Sequence, residues 1–262
     1  MAVHVLHLSD LHLGSRGDEV GGPGLEELID RTSPELIVVG GDLANRGRRE
    51  QIEQATALLR SLGPKVIAVP GNHDLPYSFP GRFSHPWREF ERQWATTEPV
   101  HRSERLLVVG LNSACPWRQQ SGKLRRDSLE RTARLLADTP PEVFRLVFLH
   151  HHLTCAPWRA RKRPLSGRKH VLRKLAQGGV DLVASGHIHQ ASSIERHEFD
   201  VGAGLRPLVV VTAPGLGRPR PRRQGEAHGL QLYGFDEGEI SVETYIWHQS
   251  ELRLTGARRF PR

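Results

Sequence analysis

Cysteine is nearly absent from this chain. Cys115 and Cys155 are the only two in 262 residues. They cannot supply a disulfide framework or a thiolate zinc site, and they fit a reducing, cytoplasmic setting. Lysine is scarce as well. Lys65, Lys123, Lys162, Lys169 and Lys174 are the only five, so arginine carries most of the positive charge. No apolar run approaches the roughly 18 to 20 residues of a membrane span, so no membrane partner is expected. Met1 leads straight into a strand-like segment, without the charged n-region and apolar h-region of a secretory leader. No internal repeat or long linker divides the sequence. Residues 1–255 are therefore expected to form a single domain, with 256–262 as an unstructured tail.

What is present is a globular composition. The hydrophobic fraction is 37% with 26 glycines, which supports a sizeable core and excludes global disorder. Thirty-seven Lys and Arg against 29 Asp and Glu leave a net charge of +8. That balance favours anionic partners such as phosphate esters or nucleic acid. The 15 histidines direct the search to metal ligands.

Short apolar runs recur along the chain at 3–8, 36–39, 66–69, 106–109, 146–149 and 182–184. Runs of this length suit strands buried on both faces. Helical patterns lie between several of them: Leu25, Leu28 and Ile29; then Ile52, Ala55, Leu58, Leu59 and Leu62, stopped by Gly63-Pro64; then Leu129, Ala133, Leu135 and Leu136; then Val171, Leu172, Leu175 and Ala176. Alternating strands and helices predict an α/β protein. Residues 208–212, 230–235 and 240–246 add a strand-rich finish. Segment 213–229, rich in Pro, Gly and Arg, reads as a surface loop, or else as a basic flap over a phosphate.

Polar clusters sit where five of these runs end: Ser9-Asp10-Leu11-His12, Gly40-Gly41-Asp42, Pro70-Gly71-Asn72-His73-Asp74, His150-His151-His152 and Ser185-Gly186-His187-Ile188-His189. In an open α/β sheet, ligands bind beyond the carboxyl ends of the strands. The five clusters would therefore converge. Carboxylate, amide oxygen and imidazole without thiolate suit a pair of borderline metals such as Mn, Fe, Zn, Co or Ni. The adjoining glycines let the backbone turn sharply at the sheet edge.

With Asp10-Leu11-His12, Gly41-Asp42, Gly71-Asn72-His73-Asp74, the triple histidine and Gly186-His187-Ile188-His189 in this order, the chain resembles the calcineurin-like metallophosphoesterases over about residues 3–212. Its short length is most similar to the small bacterial cyclic-nucleotide phosphodiesterase subgroup. The resemblance implies a four-layer α/β/β/α sandwich of two packed mixed sheets flanked by helices. It implies one divalent or trivalent ion held by Asp10, His12 and His189, a second held by Asn72, His150 and His187, and Asp42 bridging the two. The family usually continues His-x-Pro after the fourth cluster. Here three histidines precede Leu153, so His150 is chosen with His151 as rival, and His152 is read as lying behind the ligands or on the surface.

Two such ions, about 3.5 to 4 Å apart, lower the pKa of a shared water from about 16 toward 7 and draw charge off the phosphoryl oxygens. Attack by the resulting hydroxide on phosphorus would expel an alkoxide. His73, next to Asn72, is expected to act as general acid or to stabilise the leaving oxygen. Asp74 is expected either to orient His73 or to cap a turn. Asn45 and Arg46 are read as part of the approach to a helix, with substrate contact as the alternative. His7 reads as packed or supporting. Arg159, Arg161, Lys162, Arg163, Arg168 and Lys169 form a basic stretch, either a solvated face or a rim facing phosphate. Trp117 and Trp158 fall in expected loops, where packing is the commoner use and stacking on a base the other.

The leading expectation is a metal-dependent phosphodiesterase or phosphomonoesterase, with a small phosphate ester such as a cyclic nucleotide as substrate. A DNA or RNA nuclease on the same metals is the second reading. It is disfavoured because no aromatic-interleaved basic module is seen. A non-catalytic scaffold is the third, disfavoured by the complete ligand clusters.

Overall fold

The computed structural model describes residues 2–14, 20–118, 120–156, 158, 162–196, 208–217, 225–236 and 238–262. The strands of its first half are β1 (Val3–Leu8), β2 (Leu36–Val39), β3 (Val66–Ala68), β4 (Val100–Arg102), β5 (Leu106–Leu111) and β6 (Phe144–Leu149). Those of its second half are β7 (Leu182–Ser185), β8 (Ser192–Arg196), β9 (Leu208–Thr212), β10 (Gly229–Asp236), β11 (Glu239–His248) and β12 (Glu251–Pro261). Between them run helices α1 (Leu25–Thr32), α2 (Arg49–Ser61), α3 (Gly81–Ser84), α4 (Arg88–Trp94), α5 (Arg126–Ala137) and α6 (Arg168–Gln177).

Two six-stranded sheets form, in the orders β12-β11-β10-β1-β2-β3 and β4-β5-β6-β7-β9-β8. β1, β2 and β3 are mutually parallel, as are β5, β6, β7 and β9. Antiparallel β10, β4 and β8 make both sheets mixed.

Strand alternation divides the apolar side chains between two layers. Val3 and Val5 of β1 face the other sheet, while Leu6 and Leu8 face the helices. Phe144, Leu146 and Phe148 of β6 enter the space between the sheets, and Val147 and Leu149 pack toward α5 and α6. α1, α2 and α4 cover the outside of the first sheet through Leu28, Ile29, Ala55, Leu59 and Phe90. The fold is thus helices on two face-to-face mixed sheets, the four-layer arrangement expected. Leu58 departs from the expected helical face: it is 37% exposed on α2 while Ile52, Ala55 and Leu59 are buried.

The expected unstructured tail at 256–262 is corrected. Residues 251–261 are β12, paired with β11 in a register that sets Ile240 opposite Phe260. Phe260 is buried in the inter-sheet core, and the Arg258 guanidinium lies 4.9 Å from its ring centre. Arg262 reaches Asp181 at 3.1 Å and stacks 4.2 Å over Phe144. Arg258, Phe260 and Arg262 thus fall two apart on one face of the strand, with both guanidiniums laid over aromatic rings, a period-two pattern that a short basic run conceals. Segment 76–105, for which no apolar run or helical pattern is noted above, carries α3, α4 and β4. Among the described residues no helix is long and apolar enough to cross a membrane.

Candidate metal centre

The parallel strands of both sheets end on one edge, and five of them deliver a side chain there. Asp10 follows β1, Asp42 follows β2, Asn72 follows β3, His150 follows β6 and His187 follows β7. All of these, with His12 and His189, are buried. Asp10, His12, Asp42, His187 and His189 have positive φ between 53° and 74°. Such left-handed backbone is costly for residues with side chains and concentrates at functional sites. Two glycines permit the close approach. A Cβ on Gly71 would stand 2.1 Å from Asp42 Oδ1, and one on Gly186 would stand 1.9 Å from Ser9 Oγ.

Each carboxylate is half tied down. Asp10 Oδ2 accepts from Ser9 Oγ at 2.7 Å and from the His187 N–H at 2.8 Å. Asp42 Oδ1 accepts from the His73 N–H at 2.8 Å. The other oxygens, Asp10 Oδ1 and Asp42 Oδ2, are buried without a hydrogen bond. Asp10 Oδ1 lies 3.1 Å from His189 Nε2. Asp42 Oδ2 lies 3.6 Å from His12 Nε2 and 3.4 Å from His150 Nε2.

The imidazoles are oriented from outside. His150 Nδ1 donates to the Gly40 carbonyl at 2.7 Å, leaving the Nε2 lone pair inward. That atom lies 3.1 Å from Asn72 Oδ1 and 3.0 Å from His187 Nδ1. His187 Nε2 donates to the Gln120 carbonyl at 3.2 Å, so its Nδ1 is also a lone pair. His12 Nε2 and His189 Nε2 face each other at 3.2 Å. His189 Nδ1 lies 3.6 Å from the buried Glu226 carboxylate. Lone pairs and orphaned carboxylate oxygens packed this closely repel one another unless a cation is shared, so the donor set fits metal ions. Asp10, His12 and His189 form one group able to hold an ion, and Asp42, His150 and His187 another. His12, Asp42 and His73 form a third overlapping group, so the two main groups are contiguous.

The protein's own charges point the same way. Burial opposes ionisation of Asp10 and Asp42, yet the imidazoles, led by His189 and His150 respectively, hold both carboxyls well below the usual carboxylate range. Burial pushes His12 and His187 down. It also opposes charge on His150, but the Asp42 carboxylate outweighs it and pushes His150 up to about 9. A field that draws a proton to the centre also draws a cation.

Between the rivals, His150 faces this centre, whereas His151 turns aside, its Nδ1 2.9 Å from Ser113 Oγ. His152 is buried with its ring stacked 5.6 Å from that of His187, behind the ligands rather than on the surface. The expected role of Asp74 in orienting His73 is corrected. Asp74 accepts from the backbone N–H of Ala44 at 2.8 Å and of Gly71 at 2.7 Å, so it ties two loops together. Burial, and after it the charge of Asp42, pushes its carboxyl up to about 7. His73 is held by Asn45 instead, whose carbonyl oxygen lies 2.8 Å from His73 Nδ1.

Several neighbours carry no sequence signal of their own. Asn112 and Ser113, at the end of β5, add a strand end outside the five clusters, and Ser113 is found only through His151. Glu226 and Gln120 reach the centre from loops. The basic segment 213–229 is corrected at its near end: residues 213–217 are buried, and Leu216 N–H donates to the Ser9 carbonyl at 2.7 Å. Residues 218–224 lie outside the described residues, as do Arg159 and Arg161 of the other basic stretch. Lys162 Nζ donates to the His187 carbonyl. Trp158 is 55% exposed and its N–H donates to Gln190 Oε1 at 3.0 Å. Beneath the centre, His7 Nδ1 lies 2.6 Å from the Tyr233 hydroxyl, which donates to Gln231 Oε1 at 2.9 Å, and burial pushes His7 down to about 3.

Comparison with known proteins adds four findings. The profile of the calcineurin-like phosphoesterases matches residues 3–191. A probable cyclic nucleotide phosphodiesterase of Synechococcus sp. is 28% identical over 207 residues, covering 78% of this chain and 74% of the relative. Another, of Rhodopseudomonas palustris, is 28% identical over 225 residues, covering 69% and 81%. In three dimensions a dimetal phosphatase from Danio rerio superposes with a TM-score of 0.63 at 15% identity, over 92% of this chain and 95% of that one, a likeness of fold.

Proposed function

The chain belongs to the calcineurin-like phosphoesterase family, a family of metal-dependent enzymes, and on that premise we propose that it hydrolyses phosphodiesters of a small molecule, cyclic nucleotides foremost. The observation that carries this reading is the pair of orphaned carboxylate oxygens, Asp10 Oδ1 and Asp42 Oδ2, each set among inward imidazole nitrogens. The names of the two bacterial relatives support the substrate class.

In this proposal Asp10, His12 and His189 would hold one ion, Asn72, His150 and His187 would hold the other, and Asp42 would serve both. When bound, two such ions acidify water and withdraw charge from phosphoryl oxygens. The chain's residues do the rest. Asp10 and Asp42 keep their inner oxygens aimed at the centre because Ser9, His187 N–H and His73 N–H hold the outer ones. His73 gives Nδ1 to the Asn45 carbonyl, so Nε2 is the atom that delivers a proton to the departing oxygen. The free thiols Cys115 and Cys155 suit a cytoplasmic setting.

A panel assay with Mn²⁺ tests the reading: bis(p-nitrophenyl) phosphate, p-nitrophenyl phosphate, 3′,5′- and 2′,3′-cyclic nucleotides and single-stranded DNA. Diesters, with cyclic nucleotides among them, are expected to turn over fastest. A nuclease is the second reading, favoured by a groove at the Tyr77 loop whose lining sets Arg46, Arg48, Arg49 and Arg88 against only Glu50 and Glu89. Preference for DNA, with binding that falls steeply in salt, would select it.

A further inference from the structure

We propose that Phe79, Phe83 and Trp117 form a ledge that seats the nucleobase of a nucleotide phosphodiester held at the metal centre. This rests on the phosphodiesterase reading above and names the part of the substrate that reading leaves open.

The rings are conspicuous by exposure. Phe79 is 82% exposed and Trp117 is 79% exposed. Single exposed apolar residues are ordinary, but these are contiguous, and contiguous apolar patches mark binding surfaces. Phe79 and Phe83 have ring centres 5.9 Å apart, and Phe83 and Trp117 have centres 4.1 Å apart with planes tilted by 32°. The ledge is assembled from two separate segments, one of which includes α3. Arg82 fastens them, donating through its Nε to the Pro116 carbonyl at 3.1 Å and through a terminal nitrogen to the Pro76 carbonyl at 3.3 Å.

Its position selects the occupant. One segment leaves the centre at His73, where the Tyr77 ring lies 6.4 Å from the His73 ring. The other returns at Gln120, whose carbonyl holds His187 at 3.2 Å. Trp117 is three residues before Gln120, so at most about 10 Å of chain separates it from that contact. Both segments that carry the ledge thus reach the residues around the centre within a few positions, which places it beside the centre. A ribose carrying a flat aromatic base fits that chemistry. An aliphatic alcohol has no face to offer the rings. Stacking tolerates every base, so the ledge sets a preference for nucleotides rather than for one of them.

The test compares the full-length, Mn²⁺-loaded enzyme with Trp117→Ala, Phe79→Ala and Trp117→Phe on 3′,5′-cyclic AMP and on glycerophosphoethanolamine, a diester without a ring. Both alanine variants are expected to raise KM for cyclic AMP about tenfold and to lower the cyclic AMP preference by a similar factor, with Trp117→Phe restoring most of it. Titration with adenosine 5′-monophosphate should quench tryptophan fluorescence in the parent and not in Trp117→Phe. Unchanged preference in both alanine variants, with hydrolysis continuing, overturns the ledge and leaves the phosphodiesterase reading standing. Should the parent hydrolyse no diester, that reading fails, and quenching that persists in Trp117→Phe then overturns the ledge as well. A dimer that dissociates in Trp117→Ala without loss of nucleotide affinity assigns the patch to a second copy of the chain and also overturns it.

Discussion

His73 Nδ1 lies 2.8 Å from the carbonyl oxygen of Asn45. A carbonyl can only accept, so the proton on Nδ1 is committed and Nε2 is the nitrogen left to exchange with a substrate. One ring nitrogen of His73 falls within 4.8 Å of ligand atoms of His12 and Asp42, which sets the ring at the rim of the centre.

His73→Ala should therefore keep the metal content and lose turnover, by about 10²- to 10⁴-fold in kcat for general-acid work. The loss should be larger for an alkyl leaving group than for p-nitrophenolate, which departs without a proton. Elemental analysis and parallel kinetics on the two ester types check this. Equal losses on both esters would remove the acid role.

Asp42→Ala deletes the oxygen that stands 3.6 Å from His12 Nε2 and 3.4 Å from His150 Nε2. At least one of the two ions per chain should be lost. Retention of both by elemental analysis would break the bridging assignment.

Glu226 is expected to steer His189 through Nδ1 while Nε2 faces Asp10. Glu226→Gln removes the charge and keeps the size. Carboxylates behind metal-binding histidines typically alter affinity by about 10- to 100-fold, so Mn²⁺ should bind that much more weakly in calorimetric titration. Unaltered affinity would reduce Glu226 to packing.

His7 gives a pH signature. Burial pushes its pKa down to about 3 in the folded chain, against 6.5 in the unfolded one. The unfolded state thus binds the proton first, and stability falls as pH drops from 6.5 toward 3. Between pH 7 and pH 5 this one group should cost about 2 kcal/mol. His7→Gln, which can keep a hydrogen bond to Tyr233, should show a correspondingly flatter dependence in urea unfolding. An identical dependence in both proteins would rule out His7 as the source.

The strand ends were legible because local chemistry marks them: an apolar run, a glycine turn, then carboxylate or imidazole, as at Leu8 to Asp10 and Ala184 to His187. The helical faces of α5 and α6 were legible by their spacing. β12 was not, since its Arg258 and Arg259 hide a strand whose partner, β11, is itself needed to set the alternation. Segment 76–105 hid α3 and α4 because short helices with few buried residues leave little periodic signal.

By itself the sequence determined the residue types of the centre, their order and the strands that carry them, since these depend on neighbours a few positions apart. Only the tertiary structure decided which atom of each residue faces inward. His150 rather than His151, Asn45 rather than Asp74 behind His73, and two aromatic segments clasped by Arg82 all depend on contacts between distant segments. Those contacts follow from how two sheets pack, and no local pattern encodes them.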